Sequence, residues 1–288
     1  MEDFHKPVLL REVLDRLDIR VNAWYLDATL GDGGHSLGIL EKGGNIVGID
    51  VDPEAIKRAG VRLGKIAQLD RFKLLSGNFR NLKDLVGDKK FAGVLFDLGV
   101  SSLQLEDPKR GFSFLKDGPL DMRMDPTLEV KALDLINGLN KGELYELFTK
   151  LGEEKNAFRI VDALVSSREV NPIQTTTQLA GIIERSARRR GKIHPATKIF
   201  QALRIAVNDE QNALHGALPE ALEVLEENGK IIVISFHSLE DRIVKVRFKE
   251  WEALNFGVVY TKKPITPSND EIKNNPRSRS AKMRVFVC

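Results

Sequence analysis

The sequence has very little cysteine. Its single cysteine, Cys288, is the last residue, which excludes an internal disulfide framework and any metal site that is built from several cysteines. A thiol at the end of the chain is also a poor candidate for a nucleophile that must be held rigidly. We therefore expect neither cysteine chemistry nor a bound metal.

Long hydrophobic runs are absent as well. No apolar run approaches the roughly 18 residues that a membrane span needs, and the N-terminus lacks the basic, apolar and small-residue order of a signal peptide. We therefore expect a cytoplasmic protein with no membrane partner. The formal net charge is only +3, so any binding to nucleic acid must come from local clusters of positive charge.

A glycine-rich stretch follows the first apolar run, Trp24 to Asp27. Gly31, Gly33 and Gly34 precede a pattern of helical spacing, and they predict a turn where a ligand approaches backbone amides at a helix start. The next apolar run ends at Asp50, where an acid can bind ribose hydroxyls. Ordinary turn chemistry is the alternative explanation of the glycines.

The acid at the end of the first run, Asp27, indicates which adenosine cofactor is bound. A nicotinamide cofactor carries a pyrophosphate that this carboxylate would repel, whereas S-adenosylmethionine carries a sulfonium and an ammonium that it would attract. We therefore predict S-adenosyl-L-methionine, with Asp27 in its site. The alternative is that Asp27 only caps the turn.

Strand patterns recur along the chain, and the ends of the early ones carry polar or aromatic residues. Phe79 follows the third strand and can stack on adenine or pack in the core, and Asp97 ends the fourth strand. The strands after the first are predicted at 45–50, 71–76, 91–97, 229–236, 257–261 and 282–287.

The region between the fourth and fifth strands contains successive helical patterns. We predict a helical insertion over residues 106–198, which leaves residues 1–105 and 199–288 as one discontinuous α/β domain. The helix that begins near His194 is expected to continue towards Leu225.

The insertion contains a short basic run, which suits contacts to phosphate; a solvated helix end is the alternative. We predict that its cations bind RNA and that the insertion recognises the RNA substrate. They are Arg185, Arg188, Arg189, Arg190 and Lys192.

Several longer motifs together resemble the MraW/RsmH family, over nearly the whole chain. They are Gly33-Gly-His-Ser36, Asp97-Leu-Gly-Val-Ser-Ser102, Arg110-Gly-Phe-Ser-Phe114, Gly118-Pro-Leu-Asp-Met-Arg-Met-Asp125, Gly152-Glu-Glu154, Phe200-Gln-Ala-Leu-Arg-Ile205, Ser235-Phe-His-Ser-Leu-Glu-Asp-Arg242 and Asn275-Pro-Arg-Ser-Arg-Ser280.

The resemblance implies a Rossmann-like α/β fold, the seven-stranded class I methyltransferase sheet with an inserted helical domain. It also implies methylation of the exocyclic N4 amine of a cytosine in the decoding region of 16S rRNA. Arg110, Arg277 and Arg279 stand in its motifs and are further candidates for RNA contacts. The implied cofactor contacts are Gly33, Gly34, His35, Asp50, Phe79, Asp97 and Gln104.

The transfer step needs a group that accepts a hydrogen bond from the amine. Asp97 is our first candidate, with Ser101 and Ser102 as hydroxyl acceptors and His237 as a group that orients the base or takes a proton. Many amino-methyltransferases end this strand with a Pro-Pro-aromatic turn, which is missing here. Asp97 can therefore bind the cofactor's amino group instead, and His237 can simply organise its turn.

We weigh two functions from the sequence, and it favours the first, because an intact set of cofactor residues faces a polar loop that carries carboxylates. The first is an RNA base N-methyltransferase, and the second is a ribosome-assembly factor that binds RNA and cofactor with little turnover. The expected partner is 16S rRNA or the small ribosomal subunit, as naked RNA or as an assembling particle. A homodimer and a monomer are both compatible with the sequence.

Overall fold

The structure, a computed structural model, describes residues 4, 6–186 and 194–288. The chain forms two compact units. The sheet unit consists of the residues up to Gly99 together with Gln211–Cys288, and the helical unit consists of Val100–Glu210. No helix of the described residues has the length and apolar character needed to cross a membrane.

The sheet unit is organised around one seven-stranded sheet with the strand order β3, β2, β1, β4, β5, β7, β6. Strand β7 runs antiparallel to β5 and β6, whereas the other neighbouring pairs are parallel. The class I methyltransferase fold is thereby confirmed. The strands are β1 (Trp24–Asp27), β2 (Asn45–Asp50), β3 (Phe72–Ser76), β4 (Phe91–Asp97), β5 (Leu225–Ser235), β6 (Val258–Val259) and β7 (Lys282–Val287).

The helices are divided between the two units, and α11 begins at the boundary between them. In chain order they are α1 (Leu10–Leu17), α2 (Gly34–Glu41), α3 (Pro53–Leu63), α4 (Leu82–Val86), α5 (Ser102–Glu106), α6 (Ala132–Gly138), α7 (Lys141–Lys150), α8 (Ala157–Val170), α9 (Thr176–Ser186), α10 (Ala196–Asn208), α11 (Glu210–Glu223), α12 (Ser238–Ala253) and α13 (Asn269–Asn274).

Strands β2 and β4 are apolar along almost their whole length because both faces of the parallel sheet are covered. In each strand every residue is buried except the terminal aspartate, which is half-buried. In β1, Tyr25 packs into the hydrophobic cluster on one face and Leu26 into the cluster on the other. The strand ends therefore deliver Asp27, Asp50 and Asp97 to one edge of the sheet.

The helical unit has a hydrophobic core of its own, which includes Leu144, Phe148 and Leu164. Ile199 and Leu203 of α10 belong to this core and are fully buried. Residues 199–210, which we assigned to the sheet domain, therefore lie in the helical unit, as do residues 100–105. The expected continuous helix is also wrong, because Asp209 adopts φ 51° and ends α10 before α11 begins.

Candidate functional site

The glycine turn connects β1 with α2. Gly31 and Gly33 have positive φ angles of 50° and 71°, and Gly33 is the N-cap of α2. A side chain built on Gly31 would meet no atom within 4 Å, so the backbone there faces open space. Asp32 between them is held by Arg58 of α3, with Nε 3.1 Å from Oδ1. The amide of Gly33 donates to the carbonyl of Leu30 at 2.8 Å. The turn is thus fixed by its neighbours, while the space above Gly31 stays open to a ligand.

Asp50 joins the end of β2 to this turn. Its Oδ2 accepts a hydrogen bond from the amide of Gly31 at 2.8 Å, and its Oδ1 accepts one from the amide of Asp52 at 2.9 Å. Burial raises the pKa of Asp50 to about 6, although both amides favour the charged form. Each carboxylate oxygen can accept a second hydrogen bond, so the geometry suits a pair of ribose hydroxyls.

Asp27 lies deeper at the end of β1. Its Oδ2 accepts from the hydroxyl of Ser36 at 2.7 Å, and its Oδ1 accepts from the amide of Thr29 at 3.3 Å. Burial raises the pKa of this carboxyl above its ordinary value. These contacts favour the capping role that we considered as the alternative.

The buried His35 and the half-buried Asp97 lie together at the same edge. His35 Nε2 lies 3.3 Å from Asp97 Oδ2, and the side chains are 5% and 23% exposed. The amide of Asp97 donates to Thr29 Oγ1 at 2.6 Å, which ties the end of β4 to the turn after β1. His35 Nδ1 and Asp97 Oδ1 are buried without hydrogen-bond partners among the described residues. An unpartnered buried carboxylate oxygen is costly, and it marks a place for a donor from a ligand.

Phe79 follows β3 in a short 3-10 turn, Phe79–Asn81. Its ring meets Phe96 edge-to-face with a centroid distance of 5.7 Å, and it remains partly exposed. The ring therefore has a core contact and an accessible part, and the prediction that it stacks on adenine stays a prediction.

His237 lies just beyond β5, the strand next to β4, and is the N-cap of α12. Its Nδ1 accepts from the amide of Glu240 at 3.4 Å, and its Nε2 lies 3.0 Å from Glu240 Oε1. The side chains of His237 and Glu240 are only 8% and 4% exposed. The capping contact supports the organising role for His237, and Glu240 orients its ring.

The remaining candidates near β4 belong to the helical unit. Ser101 is the N-cap of α5, and its hydroxyl accepts from the amide of Gln104 at 3.2 Å. The side-chain oxygen of Gln104 accepts from the amide of Ser101 in return, which completes a capping box. Ser102 is the first residue of α5. The capping box gives Ser101 and Gln104 a structural role at the start of α5. The amine contact of Ser101 and the cofactor contact of Gln104 stay predictions.

The predicted RNA contacts differ in their surroundings. Arg110 Nη2 donates to the carbonyls of Arg123 and Met124 at 3.0 and 2.9 Å, so its guanidinium braces a loop of the helical unit. Arg185 is exposed in the last turn of α9. Arg277 and Arg279 are exposed in the 3-10 turn Pro276–Ser280. The other four cations lie outside the described residues, and they are Arg188, Arg189, Arg190 and Lys192.

Three residues of this edge were missed as site residues, namely Thr29, Ser36 and Glu240. Thr29 and Ser36 hold Asp97 and Asp27 through hydroxyl groups, and no sequence pattern points to such pairings between separate segments. Glu240 could have been found, because a carboxylate three residues after a cap residue reaches back to it at a helix start.

The model of the MraW methylase family matches residues 2–287, which is nearly the whole chain. The chain belongs to this family. The protein named ribosomal RNA small subunit methyltransferase H from Coprothermobacter proteolyticus is 44% identical, over 98% of this chain and 95% of that protein. Proteins of the same name from Heliobacterium mobile and Thermomicrobium roseum are 45% and 46% identical, over 99% and 97% of this chain and 99% and 92% of theirs.

Membership of this family makes the chain a methyltransferase, and its cofactor is S-adenosyl-L-methionine. The residues at the sheet edge fit that molecule. Each oxygen of Asp50 can accept a second hydrogen bond, and Asp97 Oδ1 has no partner among the residues that the structure describes, so both side chains suit the hydroxyl and ammonium donors of that molecule. A pyrophosphate would be repelled by carboxylates at this edge.

Proposed function

We propose that this methyltransferase transfers a methyl group to the exocyclic N4 amine of a cytosine in the decoding region of 16S rRNA. The single observation that carries the proposal is the buried Asp97 Oδ1, which has no partner among the described residues, at the end of β4. The names of the relatives support ribosomal RNA of the small subunit as the substrate class. Cytosine N4 follows from the resemblance in motifs.

The proposed roles at the sheet edge divide by position. Asp50 and the open backbone at Gly31 hold the adenosine part, because Asp50 is tied to Gly31 and a side chain at Gly31 would meet no atom within 4 Å. His35 Nε2 lies 3.3 Å from Asp97 Oδ2, on the other oxygen of the carboxylate, so Asp97 Oδ1 is the oxygen left to a ligand. The bound cofactor supplies an electrophilic methyl group on a sulfonium.

The amine of cytosine is a weak nucleophile because its lone pair is delocalised into the ring. A hydrogen bond from the amine to an acceptor pulls the nitrogen towards tetrahedral geometry and localises the lone pair. When the N–C bond forms, the nitrogen becomes cationic and must lose one proton. Asp97 Oδ1 can accept the hydrogen bond and then the proton. In the second assignment Asp97 binds the cofactor's ammonium, and backbone carbonyls of Leu98 to Ser101 serve the amine.

The side chain of His237 lies just beyond the end of β5, the strand that pairs with β4. Its ring is oriented by Glu240, whose amide donates to Nδ1 and whose Oε1 lies 3.0 Å from Nε2. We assign it to orient the base or to receive the proton after transfer. Ser101 and Ser102 remain candidates for a further hydrogen bond to the amine.

The experiment uses purified protein, S-adenosylmethionine labelled in the methyl group, and either unmodified small-subunit rRNA or unmodified 30S particles. Digestion and mass spectrometry of the RNA should place the label on N4 of one cytosine. Turnover beyond one methyl group per protein excludes the assembly factor that binds without catalysis. Label on a ring carbon or on a ribose would contradict the proposal, as would no transfer to either RNA.

A further inference from the structure

Three aromatic rings lead from the core of the helical unit to its surface. Phe200 of α10 is 5% exposed and belongs to the core. Phe114 meets it edge-to-face, with a centroid distance of 5.0 Å and an interplanar angle of 70°. The ring of His194 stacks on Phe114 at 4.6 Å and 30°. The exposed outer ring is thus backed by two rings that are anchored in the core.

The segment that carries Phe114 is held firmly. Gly111 has φ 73°, and a side chain there would lie 2.2 Å from the carbonyl oxygen of Pro119, so the two segments pack backbone against backbone. The amide of Met122 donates to the carbonyl of Arg110 at 2.9 Å. Phe114 is therefore fixed before any ligand binds, and preorganisation lowers the entropy that binding costs.

The ring of His194 is also held in one orientation. Its Nδ1 accepts a hydrogen bond from the amide of Ala196 at 3.2 Å. In the neutral ring the proton is therefore on Nε2, which has no partner among the residues described. His194 is exposed, and Phe114 is the only described ring that stacks on it. One face of an oriented ring and one N–H donor are thus available to a ligand.

We propose that His194, backed by Phe114, is a stacking platform for an unpaired base of the RNA substrate. This inference rests on the proposed function. Proteins that recognise unpaired RNA stack its bases on aromatic and histidine rings and donate to base edges from side chains. An enzyme that modifies a base must take it out of its stack, which leaves neighbouring bases unstacked. A base offers both a π face for the ring and acceptors for Nε2.

The sequence before His194 is rich in cations, which agrees with an RNA ligand. Arg185, at the end of α9, is exposed, and Lys192, the last cation of the basic run, precedes His194 by two residues. Cations attract the phosphates on either side of a stacked base. A ribosomal protein is the alternative ligand for this ring, and binding measurements with His194→Ala distinguish it from RNA.

The test measures steady-state methylation of an rRNA fragment and, separately, quenching of 2-aminopurine placed in turn at each position of the fragment other than the target cytosine. His194→Ala should raise KM for the RNA at least about fivefold, the lower end of the loss of one base stack. It should leave kcat and cofactor affinity unchanged and abolish quenching at one position. His194→Trp should restore both. Phe158→Ala is the matched control, since Phe158 is a 60% exposed aromatic residue of the same unit outside the ring stack.

The outcomes separate the two proposals. Normal KM and normal quenching in His194→Ala overturn the platform, while methylation by the wild type still supports the proposed function. Wild-type protein that quenches 2-aminopurine but transfers no methyl group overturns the proposed function and keeps the platform. If His194→Ala binds naked RNA normally but loses binding to a ribosomal protein, the platform for a base is wrong. His194 is on the surface, so the variant should fold, which thermal melting checks.

Discussion

The two units differ in the burial of their predicted ligand contacts, which are cofactor contacts in the sheet unit and RNA contacts in the helical unit. In the sheet unit, Asp27 is buried and Asp50 is half-buried, and hydrogen bonds from amides or a hydroxyl hold both carboxylates. In the helical unit Arg185 and the ring of His194 are exposed. A small cationic cofactor needs a fixed and partly dry cage, whereas a large polyanion is met by charge and rings at the surface. The comparison explains why one chain of almost balanced charge can serve both.

The comparison depends on where the boundary between the units lies. Two substitutions that truncate core side chains test this boundary, and they have the largest expected effect of the changes proposed. Leu203→Ala removes a fully buried side chain of the helical core, and Leu214→Ala removes a side chain of the sheet core that is 1% exposed. Each should cost about 2–5 kcal/mol of unfolding free energy. Hydrogen exchange should show that Leu203→Ala exposes amides of α7 and α8, and that Leu214→Ala exposes amides of β4 and β5. Equal loss of protection in both sets would contradict the boundary at Glu210.

Removal of the negative charge from Asp97 should slow methyl transfer, which is the function that we propose for the edge of the sheet unit. Asp97→Asn keeps the size of the side chain but removes the charge that attracts a cation and a proton. If Asp97 is the acceptor, the single-turnover rate should fall about 10²-fold or more. His237→Ala should show whether the ring at the end of β5 shares this step. Asp70→Asn, at an exposed turn of the same unit, is the control and should transfer at the normal rate.

Cofactor affinity must be measured in the same variants, because Asp97 has two assignments. A slow Asp97→Asn that binds cofactor normally supports the acceptor. Weak cofactor binding with a normal rate at saturation supports a contact to the ammonium. Transfer and binding that both match the wild type would leave the carbonyls of Leu98 to Ser101 as acceptors.

Most strands of the sheet unit were predicted to within one residue, but β5 begins four residues before its predicted start at 229, and β6 is only Val258–Val259 where 257–261 was predicted. The predicted bounds of β2 and β4 agree with the structure at both ends, since a strand buried on two faces is a continuous apolar run and its terminal aspartate marks the edge. Contacts between separate segments could not be predicted. The pairing of Thr29 with Asp97 and of Arg110 with the carbonyl of Met124 depends on the folded chain.

The helical unit shows the same limit at its boundary. The periodicity of α10 was visible, but which core its apolar face joins is a tertiary property. Ile199 and Leu203 pack with the insertion, and the left-handed Asp209 separates α10 from α11. An aspartate tolerates that conformation, but within an apolar periodic pattern it resembles any exposed helical residue. Local sequence thus predicted the helix, and packing decided its unit.

Replacement of Asp50 should have a smaller effect than that of Asp97. Asp50→Ala removes a charged acceptor and should weaken cofactor binding by about 1.5–3 kcal/mol, the usual range for such a hydrogen bond. Calorimetric titration of the folded variant measures it. Unchanged affinity would remove Asp50 from the ribose site.

The pH dependence of binding sharpens this test. Burial raises the pKa of Asp50 to about 6, so the ionised acceptor should be lost as the pH falls from 7 to 5, and cofactor affinity should fall with it. Asp50→Asn should flatten the profile in that range. The effect on stability has the opposite sign: a raised folded pKa favours the folded state below the ordinary pKa of an aspartate, and this contribution is lost as the pH rises through about 6.

The smallest effect is expected from the basic run of the helical unit, since salt at physiological concentration screens much of the attraction between cations and phosphates. Neutralising Arg188, Arg189 and Arg190 together should weaken RNA binding and leave cofactor affinity unchanged. If each arginine contacts one phosphate of single-stranded RNA, the slope of log K against log salt should become shallower by about 2. Lys245, Lys249 and Lys262 are exposed in the sheet unit, and their joint replacement changes the net charge equally. A shallower slope in the arginine variant alone means that contact to phosphate belongs to the helical unit; equal slopes in the wild type and both variants would show that the run does not touch phosphate.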